Sequence, residues 1–97
     1  MKKSDKTKLH NYRITVTGIV QGVGYRFNAQ AIAHKYNLTG FVKNQHDGSV
    51  LIYAEGTDEN INKFIDWCYV GPLNAEVTEV HAEEGDFVGY QTFEIKR

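Results

Sequence analysis

The stretch Gly18-Ile19-Val20-Gln21-Gly22-Val23-Gly24-Tyr25-Arg26-Phe27 takes the chain from a strand pattern through a glycine-rich loop into a helix pattern, with an arginine at the junction. Upstream, Tyr12, Ile14 and Val16 alternate with Arg13, Thr15 and Thr17, the period-two signature of a half-buried strand. Downstream, Ala29, Ile32, Ala33 and Tyr36 fall at i, i+3, i+4 and i+7 and predict a helix over residues 25–36. Asn37 suits a left-handed cap, because its short polar side chain tolerates positive φ, and Leu38 would then fold back onto the last turn.

Residues 40–44 read as a second strand, Gln45-His46-Asp47-Gly48 as a turn and residues 49–55 as the returning strand, since Asp-Gly is a strong reversal signal. Val50, Ile52 and Ala54 share one face of that strand and Leu51, Tyr53 and Glu55 the other. Apolar content on both faces predicts a central position. A second helix begins at Gly56-Thr57-Asp58, with Thr57 or Asp58 as cap. It carries the stripe Ile61, Phe64, Ile65 and Cys68 and ends at Gly71-Pro72. Residues 77–83 form a weaker strand, because Val77 and Val80 share a face only if a bulge intervenes. Phe93 and Ile95 alternate with Thr92, Glu94 and Lys96 in a short terminal strand. The order predicts an α+β, ferredoxin-like split βαβ sandwich: βαββαβ plus a short strand, with two helices on one face of an antiparallel sheet.

Ninety-seven residues with 41% hydrophobic content fit one domain over residues 10–97. Residues 1–9, which hold Lys2, Lys3, Lys6 and Lys8, read as a flexible basic tail. The formal net charge of -1 provides no global field for nucleic acid or an anionic membrane, so neither is an expected partner. The single cysteine, Cys68, has no internal disulfide partner, no secretory pattern follows Met1, and no apolar run approaches the roughly 20 residues that cross a bilayer. A cytoplasmic monomer is expected.

Any anion recognition is therefore local. Gly22 and Gly24 allow a tight turn whose N–H groups, with those of the helix start, can face one concavity. Arg26 adds a planar fork matched to two phosphate oxygens, at a helix end where a cation asks for an anionic partner. The loop lacks the Gly-Lys-Ser/Thr ending of a nucleotide-binding P-loop and the first glycine of a dinucleotide fingerprint. In the predicted topology, the loop after the first strand and the end of the second emerge at the same end of the sheet, roughly 10 Å apart. Arg26 and Asn44 thus converge. His10, His34, His46 and His81 lie in separate elements without ligand spacing, so no metal and no cofactor is expected.

With these two sites placed, the sequence resembles the acylphosphatase family. The first motif reads Gly18-Ile19-Val20-Gln21-Gly22-Val23-Gly24-Tyr25-Arg26 and the second Gly40-Phe41-Val42-Lys43-Asn44, continuing through Gly48-Ser49-Val50 to Gly56. The likeness extends through Gly71-Pro72-Leu73-Asn74-Ala75-Glu76-Val77 to the terminal strand, marking residues 10–97 as an acylphosphatase-like domain. Tyr25 stands where phenylalanine is frequent in the family, and Asn37 where glycine is common. The resemblance implies metal-independent hydrolysis of an acyl phosphate to a carboxylate and inorganic phosphate. Carried over by position, Arg26 and the backbone of Gln21, Gly22, Val23, Gly24, Tyr25 and Arg26 bind the phosphoryl group, and Asn44 holds the attacking water. Acylphosphatase-like domains also resemble the front of a larger hydrogenase-maturation protein; the end at Arg97 leads to the expectation of a free-standing enzyme.

Two other functions share this architecture: a non-catalytic module binding an anion in the same loop, and an RNA-binding module. The latter needs aromatic platforms on the first and third strands, with Tyr53 the only plausible strand-three aromatic, and usually a basic surface.

Overall fold

The computed structural model describes residues 7–97. Of the basic residues assigned to a tail, Lys2, Lys3 and Lys6 lie outside the described residues, and Lys8 is exposed. The elements run β1 (His10–Ile19), α1 (Tyr25–Lys35), β2 (Thr39–Asn44), β3 (Val50–Gly56), α2 (Asp58–Val70), β4 (Glu76–Gly85) and β5 (Phe93–Lys96). One five-stranded sheet has the order β4-β1-β3-β2-β5. The pairs among β1 to β4 are antiparallel, as expected, but β5 adds to β2 in parallel, so the sheet is mixed. Residues 86–92 return the chain past the sheet end so that β5 runs beside β2 in the same direction, with Gly40 donating to the Thr92 carbonyl at 2.8 Å.

Local signals place the elements. At the end of α1, Asn37 adopts φ 57 and the Leu38 N–H reaches the Ala33 carbonyl at 2.8 Å, which stops the helix and turns Leu38 into the core. Thr57 caps α2, its hydroxyl accepting from the Asn60 N–H at 3.3 Å. The bulge that β4 required is present: Thr17 pairs with Glu79 and Gly18 with Val77, leaving Thr78 as the extra residue.

Ile14, Ile52 and Val42 line up across β1, β3 and β2 and pack beneath Ala29 and Ala33 of α1 and Ile61, Phe64 and Cys68 of α2. The other face of β3 is covered in part by aromatics. The Tyr53 ring lies 5.1 Å from that of Phe41, which meets Tyr90 at 5.9 Å. Two apolar faces therefore do mark the central strand.

Candidate functional site

The site forms where β1 hands over to α1. Gly18, at φ 125, lies so close to β4 that a Cβ would overlap the Glu76 carbonyl oxygen, and this approach aims the chain inward. Val20 is then buried in the core and the loop over residues 20–24 begins. Gly24 is the N-cap of α1 in the left-handed conformation, φ 80 and ψ 18, with no side-chain cap. The first turn of α1 contains no acidic residue, so the helix supplies positive N–H ends to the loop without an internal anion to neutralise them.

The loop is braced from outside. The Gln21 side-chain amide donates to the Gln45 carbonyl at 2.8 Å and the Ser49 carbonyl at 2.9 Å, tying the loop to the β2–β3 turn. That turn is fixed by Asp47, whose carboxylate accepts from the Ser49 hydroxyl at 2.6 Å and its N–H at 2.9 Å. These bonds, the hydroxyl foremost, hold the Asp47 carboxyl below the usual carboxylate range. Gln21 thus braces with its side chain, leaving its backbone to the loop.

A cavity of about 270 Å³ opens between the loop, the start of α1, the end of β2 and β5. Gly22, Gly24, Tyr25, Arg26 and Asn44 all line it, so the two residues expected to converge from separate elements do so. Val23 instead packs against the core and Gln21 is turned to the hairpin; neither lines the cavity. Arg26 Nη1 donates to the Lys96 carbonyl at 2.9 Å, which steadies the guanidinium while leaving its other donors for a ligand. Asn44 Oδ1 is buried and has no hydrogen-bond partner among the described residues, a costly state that an incoming donor would relieve. Asn44 also borders a neighbouring cavity with Lys43, His46 and Arg97, which puts His46 beside the site without entering it.

Three lining residues were not anticipated: Val20, Phe27 and Ile95. Phe27 could have been noticed as a large apolar residue off the buried stripe of α1, whereas Ile95 depends on where β5 pairs, which local sequence does not encode. The cavity lining holds no Ser, Thr, Cys, Lys, His or carboxylate side chain, and the Tyr25 hydroxyl is engaged in donating to the Cys68 carbonyl. Burial pushes the Cys68 thiol up to about 12, and it faces the core. Among the described residues no three His, Cys, Asp or Glu side chains are grouped to hold a metal.

The acylphosphatase family model matches residues 12–95, spanning both the loop and Asn44. The chain belongs to the acylphosphatase family. It is 45% identical over 85 residues to an acylphosphatase of Bacillus licheniformis, an alignment covering 87% of this chain and 94% of the relative. Among solved structures it is similar to an acylphosphatase from Coxiella burnetii, with TM-score 0.90 and 33% identity over 99% of this chain and all of that one. It is also similar to the acylphosphatase from Bacillus subtilis, with TM-score 0.89 and 38% identity over 93% of this chain and all of that one. Family membership assigns the chain acyl phosphate hydrolysis.

Tyr25 has a structural use. The ring is buried and the hydroxyl donates to the Cys68 carbonyl at 2.9 Å, tying the first turn of α1 to α2. Burial, more than the neighbouring Cys68, pushes the phenol far above its ordinary range, so it serves as a neutral donor.

Proposed function

We propose that the Arg26 side chain and the loop backbone at Gly22, Gly24, Tyr25 and Arg26 bind the phosphoryl group of an acyl phosphate and that Asn44 positions the water that attacks it. The observation that carries this reading is that Asn44, whose Oδ1 is buried without a hydrogen-bond partner among the described residues, lines the same cavity as Arg26. An oxygen acceptor there takes a hydrogen bond from water and turns the water's lone pair away from itself, toward a phosphorus held by the guanidinium and the helix start. The water oxygen bonds to phosphorus as the bond to the acyl oxygen breaks, and the carboxylate leaves with the electron pair. The water's proton passes to a phosphoryl oxygen.

This division of labour suits a site without a general base. A carboxylate is a good leaving group, and phosphoryl transfer is mostly positioning and charge stabilisation. No step needs a metal or cofactor, and the protein acts as a cytoplasmic monomer on a small anionic substrate.

Benzoyl phosphate hydrolysis by purified protein, with chelator present, tests the assignment. Asn44→Ala should lower kcat by at least about 100-fold with a modest change in KM. Arg26→Ala should lower kcat/KM by about 1,000-fold or more and abolish competitive inhibition by inorganic phosphate. Wild-type rates in both variants would remove these residues from the mechanism. An inactive wild-type protein that still binds phosphate in calorimetry would mark the site as a binding module.

A further inference from the structure

Phosphate chemistry leaves two of the cavity's apolar residues without a task. Phe27 is 70% exposed and Ile95 38% exposed. A single exposed hydrophobe is ordinary. These two, however, come from different elements and line the same cavity as Arg26 and Asn44. Their separation is fixed by bonds on either side of Ile95: Gln30 Nε2 donates to the Phe93 carbonyl at 2.9 Å, and Arg26 Nη1 to the Lys96 carbonyl at 2.9 Å. The remaining side chains of the cavity include no carboxylate and no cation besides Arg26. An acyl group is covalently joined to the phosphoryl group it leaves, so a phosphoryl group on Arg26 brings the acyl carbons within reach of this lining.

We infer that Phe27 and Ile95 form the acyl-binding wall of the site and give the enzyme a preference for apolar, above all aromatic, acyl phosphates over short or charged ones. This inference rests on the acyl phosphate reading of the same cavity. Phe27 offers a ring face and Ile95 a branched edge, a combination that accepts a flat apolar group and gives nothing to a charged one. Phe27 also adjoins Arg26 in the first turn of α1, so selectivity for the acyl group and affinity for phosphate come from neighbouring residues with separable effects.

The test compares kcat/KM for benzoyl and acetyl phosphate in the wild type, Phe27→Ser, Phe27→Leu and Ile95→Ala. The benzoyl-to-acetyl ratio should fall about tenfold in Phe27→Ser, fall by a smaller factor in Ile95→Ala and return to within about threefold of wild type in Phe27→Leu. Inhibition by inorganic phosphate, which has no acyl group, should move by less than about twofold in Phe27→Ser. Benzoyl and acetyl rates that stay in their wild-type ratio in Phe27→Ser would overturn the inference and leave the hydrolytic reading standing. Loss of phosphate inhibition in Phe27→Ser would also overturn it, since the residue would then be shaping the loop. A wild-type protein that hydrolyses neither compound overturns both.

Discussion

Two buried side-chain oxygen groups behave in opposite ways. The Glu55 carboxylate accepts four hydrogen bonds, from Asn11 Nδ2 at 2.8 Å and the N–H groups of Val88, Gly89 and Tyr90 at 2.6, 2.9 and 3.0 Å, while Asn44 Oδ1 accepts none. The first arrangement serves structure, and the second is the one that the role proposed for Asn44 would use. Burial by itself would raise the Glu55 pKa, but the donors, led by Val88, outweigh it and hold the carboxyl below its ordinary value. A depressed carboxylate stabilises the fold above the unfolded-state value, near pH 4.3, and ceases to do so as the pH falls through the folded-state value. Glu55→Gln should therefore cost about 2–3 kcal/mol at pH 7, with the gap to wild type narrowing below about pH 4. Urea titrations at pH 7 and pH 3 measure both quantities. That Arg26 and Asn44 line one cavity was legible in the sequence because the order of elements brings the loop after β1 and the end of β2 to the same end of the sheet. Glu55 was read only as one of the residues on the second face of a strand, because three of its donors lie more than 30 positions away in a loop with no pattern of its own and the fourth, Asn11, on β1.

Element boundaries were legible wherever a local feature sets them. Asn37, Thr57 and Gly71 each end or begin a helix through their own backbone geometry or side chain. The bulge between β1 and β4 was legible too, because Val77 and Val80 cannot otherwise share a face. The direction of β5 was not, since a four-residue strand can add to an edge either way and long-range hydrogen bonds decide. The handover from β1 to α1 makes a sharper prediction. At Gly18 a Cβ would meet backbone on β4, the Glu76 carbonyl oxygen and, at 2.8 Å, the Thr78 nitrogen. At Gly22, also at positive φ, it would meet nothing within 4 Å. Gly22→Ala should cost about 1 kcal/mol from its backbone conformation, and Gly18→Ala at least about 2–3 kcal/mol from conformation and overlap together. Thermal unfolding of the two variants should show the difference as several degrees in Tm.

At the scale of the whole molecule, the site is assembled from widely separated segments: the loop after β1, the end of β2, and β5, whose Lys96 carbonyl steadies Arg26 from 70 positions away. That pairing has a consequence in time. No short piece of the chain contains a working site, and the parallel β2–β5 contact closes a long loop before it gains anything, a topology that slows folding. Refolding from urea should be a single slow phase in the range of milliseconds to seconds. Fluorescence of Trp67, packed 5.1 Å from the Tyr25 ring and 6.1 Å from Phe64, should recover with the same rate constant as benzoyl phosphate hydrolysis in a double-jump experiment. An enzyme arranged in this way is all or nothing: a half-folded chain has no partial activity to lose.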